Sequence, residues 1–230
     1  YFSVGTTPME SGFRSTEKYG PIKSIKDYEG FKVRTPSRAT IWILKQLGAS
    51  PVKIPGGEIY LAVERGTLDG AEFSSPGIDW EMGFAEITKY WSVPCWFQPS
   101  SQVGVMVNLK AWNKLPKTYK AIFERGAQAA ALRGMAFWEG DSGRAIDKFV
   151  EAGIEIVPLP PEELDKLEEL AGQYCLMKAK ESKFYARMLK SQMDYLEEYK
   201  DWRKISGDFG QGRTPVYVDK VLAELKKMGY

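Results

Sequence analysis

Between Gly30 and Phe73 short apolar runs alternate with segments whose apolar residues recur at helical spacing. Phe31 to Val33 is a strand-like run that ends in Arg34. A helix signal follows, opened by Pro36 and closed by Gly48. Val52 to Ile54 is a second run, and a second helix signal starts near Pro55 and closes at Gly66. Leu68 to Phe73 is a third run, with Glu72 near its end. Strand, helix, strand, helix, strand with short connections predicts parallel βαβ units. The carboxyl ends of parallel strands share one edge, which is where open α/β sheets bind ligands. Arg34 and Glu72 both fall there. An Arg can hold a carboxylate through two parallel hydrogen bonds, so this edge is expected to bind a small carboxylate.

Elsewhere the pattern is coarser. Residues 1–20 read as irregular, punctuated by Gly5, Pro8, Gly12 and Gly20. PIKSIKDYEG reads as a short helical turn, with Ser24 as N-cap and Gly30 as a stop. Trp80, Phe84 and Ile87 recur at spacings of four and three, which predicts one helix with an apolar face. VPCWFQPSS reads as a loop carrying Gln98, and Gln102 to Val107 as a buried strand. LKAWNKLP is a short helix, and a long helix is expected from Thr118 to Val150. IEIVPLP is a strand. A helix opening at Pro161 buries Leu164, Leu167, Leu170 and Tyr174, and helical pattern continues to about Trp202. After a Gly-rich connector, Val216 to Met228 is a last amphipathic helix. It must bury its stripe on its own body or on a second copy, so a homodimer through this helix is expected.

Composition narrows the function classes. The 230 residues carry a net charge of +2 and no long basic patch, which argues against nucleic acid as a partner. No apolar run reaches the length of a membrane span. Histidine is absent, which removes Ser-His, Cys-His and His-metal chemistry. A metal would need oxygen ligands, favouring sodium, calcium or magnesium. Cys95 and Cys175 are the two cysteines, and the sequence leaves open whether they meet. The pair Gly56 and Gly57 lacks the spacing of a phosphate loop. No nucleophile motif or cofactor fingerprint accompanies the carboxylates, so a binding protein is expected rather than an enzyme.

Several segments resemble one family in order along nearly the whole chain. PIKSIKDYEGFKVRTPS, LGASPVKIPGGEIYLAVERGTLDGAEF and MVNLKAWNKLPKTYKAIFE resemble the periplasmic substrate-binding proteins of TRAP transporters (DctP type). The phrases PGGEIY and RGTLDGAEF, with the aromatic loop around Gln98, are most similar to the metal-dependent branch that binds 2-oxo acids and lactate. The resemblance implies an α/β, periplasmic binding protein-like two-lobed fold with a long spanning helix and a helical C-terminal tail. It implies location in the periplasm, delivery of a small organic carboxylate to TRAP membrane subunits, and a sodium or calcium ion.

On this resemblance Arg34 corresponds to the carboxylate clamp. Glu72, the backbone carbonyl of Phe73, and Gln98 correspond to the metal ligands. Trp80, Phe97 and Phe13 are the substrate-contact candidates. Branch members carry Trp at the Phe73 position and Glu at the Gln98 position. The latter change removes one negative charge and weakens the case for a divalent ion. Arg38 is an alternative clamp, and a larger carboxylate bound without metal is an alternative ligand. Asp79 reads as a helix-start acid. Residues 1–100 are expected to form the core of the second lobe, 101–138 a crossing segment contributing to the first, 139–205 the return and packing helices, and 206–230 the connector and last helix. Family members have about one lobe of sequence before the PIKS stretch, so the first βαβ portion is expected to be missing, leaving apolar surface and strand edges exposed.

Overall fold

The computed structural model describes residues 1–206. The strands are β1 (Phe2–Thr6), β2 (Arg14–Ser15), β3 (Lys32–Arg34), β4 (Ser50–Val52), β5 (Gly70–Ala71), β6 (Tyr90–Val93), β7 (Gln102–Val105) and β8 (Glu155–Pro158). The helices are α1 (Arg38–Gln46), α2 (Ile59–Glu64), α3 (Pro76–Glu81), α4 (Phe84–Ile87), α5 (Leu109–Lys114), α6 (Lys117–Glu151), α7 (Pro161–Glu181) and α8 (Lys183–Ser206). Short 3-10 turns occupy Ile25–Tyr28 and Gly56–Glu58.

Six strands form one sheet in the order β4-β3-β5-β2-β6-β8. β3 pairs in parallel with β4 and β5, as the βαβαβ pattern predicts. β2 enters antiparallel between β5 and β6, and β8 pairs in parallel with β6. Only β2 therefore runs against the others, so its amino end meets their carboxyl ends at one edge. This strand falls in the stretch read as irregular. It has two residues, too few for an alternating pattern to register. β6 was also hidden, because its aromatic residues follow directly on a helical pattern.

Helix α1 starts where the sequence places it. The Ser37 hydroxyl accepts a hydrogen bond from the Thr40 amide, and Lys45 lies in the last turn. The single helix expected around Trp80, Phe84 and Ile87 is two, α3 and α4. Gly83 separates them at φ +77°, a left-handed conformation that breaks the helix. β1 leaves the main sheet and pairs antiparallel with β7 in a two-stranded ribbon. The expectation of a buried strand at Gln102 to Val107 is corrected here: both ends of β7 are exposed, because only one neighbour covers it. α6 is continuous over 35 residues, about 52 Å at 1.5 Å per residue. It passes the ribbon, where Gly5 lies against Ala131 and Trp138, and reaches the sheet at Phe149.

Two apolar clusters fill the sheet's surroundings. One gathers Phe13, Tyr28, Phe31, Val33, Leu44 and Leu167, with Leu164 and Leu170 packed against it. The other gathers Ile59, Val63, Phe84, Trp91, Phe149 and Ile154. Each fully buried large side chain contributes about 1.5–3 kcal/mol. Several large apolar side chains outside the clusters are exposed, including Met106, Leu109, Ile122, Leu132 and Phe137. The chain divides into two compact units, Tyr1–Tyr174 and Cys175–Tyr230. The described part of the second comprises the end of α7 and α8, separated by Ser182, with Tyr195 stacked on Tyr199. The connector and last helix expected at 206–230 lie outside the described residues, apart from Ser206 at the end of α8. Cys95 and Cys175 are free thiols. Among the described residues no helix is long and apolar enough to cross a membrane.

Candidate functional site

Strand direction assembles the candidate site. Arg34 ends β3 and is in register with Ala71 of β5, so Glu72 follows directly beside it. Arg34 is 6% exposed and Glu72 is 1% exposed. One guanidinium nitrogen of Arg34, Nη1, donates to the Glu72 carbonyl at 2.8 Å and to its carboxylate at 3.2 Å. Nε donates to the Ile54 carbonyl at 3.2 Å. The guanidinium carbon lies 5.6 Å from the centre of the Phe73 ring. That ring rests against Gly56, where a Cβ would come within 2.4 Å of it. Gly56, directly after Pro55, thus makes room for an aromatic wall.

Because β2 is antiparallel, the segment before it arrives at the same edge, bringing Glu10 and Ser11. The loop after β6 brings Gln98. Gln98 Nε2 donates to the Glu10 carboxylate and to the Ser101 hydroxyl, each at 2.5 Å. With its NH2 committed, Gln98 has its amide oxygen left to accept. The Glu10 amide donates back to the Gln98 carbonyl at 3.2 Å. Glu10 escaped the sequence reading because nothing in TTPMESG marks a strand approach. Its signal was only that an acid precedes Phe13 and Arg14 in a Gly-rich stretch.

Burial makes both acids reluctant to ionise. Desolvation pushes Glu10 up to about 8, helped by the negative charges of Glu72 and Asp79, with Arg34 and Gln98 opposing. Desolvation pushes Glu72 up to about 7, although Arg34 and the Thr35 hydroxyl pull it down. Asp79 lies in the first turn of α3, as the sequence predicts. It is fully buried, and its carboxylate accepts from Arg14 Nε at 3.3 Å and from the Ser74 amide at 2.9 Å.

The aromatic candidates separate. Phe13 is enclosed at 1% exposure by Tyr28, Phe31, Trp96 and Phe97, so its ring meets other rings and has no surface for a ligand. Phe97 is half-buried over Phe13, with ring centres 4.7 Å apart. Trp80 is half-buried and packs edge-on against Phe149 at 5.3 Å. Arg38 is the first residue of α1 and is exposed.

The candidate donors at this edge are chemically suited to a hard cation. They are oxygen groups only: the carboxylates of Glu72 and Glu10, the Gln98 amide oxygen and the Phe73 carbonyl. Among the described residues no three His, Cys, Asp or Glu side chains gather to hold a metal alone. Two carboxylates with neutral oxygen donors is a set suited to sodium or calcium. Glu72 and Asp79 raise Glu10, Asp79 also raises Glu72, and a positive charge near them would relieve that repulsion.

Comparison with known proteins bears on this arrangement. Residues 4–182 match the family described as bacterial extracellular solute-binding protein, family 7. The monocarboxylate 2-oxoacid-binding periplasmic protein of Nostoc sp. is 32% identical over 170 residues, covering 74% of this chain and 46% of that protein. A TRAP transporter solute-binding protein from Bordetella bronchiseptica, solved as a mixed-occupancy dimer with calcium and picolinate, superposes with a TM-score of 0.81. It is 25% identical, over 99% of this chain and 64% of that one. A TRAP periplasmic solute-binding protein from Pseudoalteromonas atlantica, with sodium and pyruvate, gives a TM-score of 0.77 at 27% identity, over 97% and 63% of the two chains. The chain thus spans about half the length of its curated relative and under two thirds of these solved chains.

Proposed function

The chain belongs to family 7 of the bacterial extracellular solute-binding proteins, and we propose that its sheet edge captures a small 2-oxo or 2-hydroxy carboxylate, such as pyruvate or lactate, with a sodium or calcium ion. In this reading the protein works in the periplasm and hands the ligand to the membrane subunits of a TRAP transporter. The observation that carries the reading is the buried Arg34 beside Glu72 and Phe73, facing an edge where Gln98 and Glu10 meet.

Arg34 holds its guanidinium between the Glu72 and Ile54 carbonyls, which fixes the direction of the fork before a carboxylate arrives. Its Nη2 is not used in the described hydrogen bonds and is the group offered to the ligand. Glu72, Glu10, Gln98 and the Phe73 carbonyl would hold the ion. When bound, the ion supplies positive charge to the ligand's oxygen atoms. Phe73 forms an apolar wall over Gly56. The site needs no activated nucleophile, and the role proposed for it is binding without chemistry. The relatives named for 2-oxoacids and solved with pyruvate or picolinate support this choice of ligand class.

The test is equilibrium dialysis of the protein with labelled pyruvate and calcium, followed by recovery of the ligand. Retained label recovered as unaltered pyruvate is expected. Converted ligand, or no retention of any small carboxylate, would overturn the proposal.

A further inference from the structure

The proposed ion shell contains one backbone group, the Phe73 carbonyl, and something must aim it. A peptide unit is planar and trans, so the Phe73 C=O points opposite to the N–H of Ser74 in the same unit. That N–H donates to Asp79 Oδ1 at 2.9 Å. The other carboxylate oxygen, Oδ2, accepts from Arg14 Nε at 3.3 Å, and neither side chain is exposed. Arg14 is fixed in turn. Its guanidinium carbon lies 4.0 Å from the centre of the Trp91 ring and 3.9 Å from that of Phe149. On the flanking groups, the Ser74 carbonyl accepts from the Ser11 amide at 2.8 Å, and the Glu72 carbonyl accepts from Arg34 at 2.8 Å. The backbone is therefore tethered on both sides of the Phe73 oxygen.

We propose that Asp79, backed by Arg14, is a positioning residue for the Phe73 carbonyl: it fixes the direction of that oxygen and, through the Ser74 N–H, polarises the amide toward a stronger donor for a hard cation. The inference rests on the reading of this edge as an ion and carboxylate site. A purely structural role explains the arrangement poorly. A buried ion pair is often no better for stability than apolar groups of the same volume. Here, moreover, Nη1 and Nη2 of Arg14 lack a described partner. Two aromatic faces would pack a methionine as readily.

The experiment labels phenylalanine carbonyls with 13C and serine amides with 15N. The chain has two Phe-Ser peptide bonds, 2–3 and 73–74, and Ser3→Thr assigns the first. Calcium alone is titrated into the wild type and into the double variant Arg14→Met with Asp79→Asn, which removes both charges but keeps an oxygen facing the Ser74 amide. In the wild type calcium should shift the Phe73 carbonyl signal and move the Ser74 amide proton downfield. The double variant should bind calcium about 10- to 100-fold more weakly, with a smaller carbonyl shift. Equal affinity and shift in the two proteins would overturn the inference and leave the ion site standing. Calcium binding that leaves the wild-type Phe73 signal unmoved would remove Phe73 from the shell and overturn the inference alone. No calcium binding by the wild type would sink the ion reading and this inference together. If the double variant does not fold, the Ser74 amide of the wild type decides: an unmoved proton signal on calcium binding overturns the coupling.

Discussion

Glu10 and Glu72 are both buried, Glu10 feels the charge of Glu72, and their acidity is where the residue scale becomes measurable. Both have folded-state values raised above the ordinary carboxylate range, to about 8 and about 7. Above about pH 4.5 the unfolded chain has given up these protons while the folded chain still holds them. Folding of the ion-free protein is therefore favoured at low pH, and this contribution is lost as pH rises through 7 to 8. Glu10→Gln removes one of the two groups at nearly constant shape. Its thermal midpoint relative to wild type should rise between pH 5 and pH 9 in chelated buffer; a difference that stays flat would contradict the assigned burial. Gln98→Glu places a third carboxylate against Glu10, because Gln98 Nε2 already sits 2.5 Å from it. This variant should bind calcium more tightly and be less stable without it above pH 8, as read by calcium titration and melting. Unchanged calcium affinity would exclude position 98 from the shell. Arg34→Lys keeps a charge beside Glu72 but loses the planar fork. Carboxylate affinity should fall at least tenfold, given about 1.5–3 kcal/mol for a charged hydrogen bond, while the fold survives. Arg34 and Glu72 were legible in the sequence because each ends an apolar run inside a recognisable βαβ pattern. Glu10 was not, since its position depends on a partner strand far along the chain. Asp79 is the helix-start acid that the sequence shows, in the first turn of α3, but its burial against Arg14 was not legible because that partner is 65 positions away.

At the scale of elements, the site depends on which strands end where. The three parallel strands and α1 follow from local pattern, although β4 is Ser50–Val52 and not Val52 to Ile54, and the Ser37 cap of α1 is seen in the structure alone. Replacing Ser37 by Ala should cost about 1 kcal/mol without altering ligand affinity, a difference readable by chemical denaturation. β2 could not be read locally, because two residues between two neighbours take their conformation from the ladder on each side. The split of α3 from α4 was obscured for a different reason: apolar spacing carries across Gly83, while the backbone does not. The turn at Gly56 is the element most directly joined to the site. A Cβ there would meet the Phe73 ring at 2.4 Å, so Gly56→Ala must displace the ring. Ligand affinity should drop, and the melting temperature should fall as well, because the displaced Phe73 ring packs against the second apolar cluster. An affinity equal to wild type would mean that the Phe73 ring does not wall the ligand.

At the scale of the whole molecule, family and fold were legible because the recognisable phrases run in order along the chain, and residues 4–182 match the family. The assignment of 1–100, 101–138 and 139–205 to separate lobe segments remains part of the proposal. In the structure β1 pairs with β7, and α6 runs from that ribbon to the sheet. A homodimer through 216–230 is likewise a proposal: removing those residues should shift a dimer to monomer in sedimentation, and an unchanged mass would count against exchange. The central claim is that this edge binds a 2-oxo carboxylate together with an ion, and calorimetric titration of pyruvate into chelator-stripped protein, with and without added sodium or calcium, tests it most directly. Pyruvate should bind in the presence of the ion and at least tenfold more weakly without it. Binding of equal strength in both conditions would contradict the ion's part in the site, and no heat with pyruvate or lactate under either condition would contradict the account as a whole.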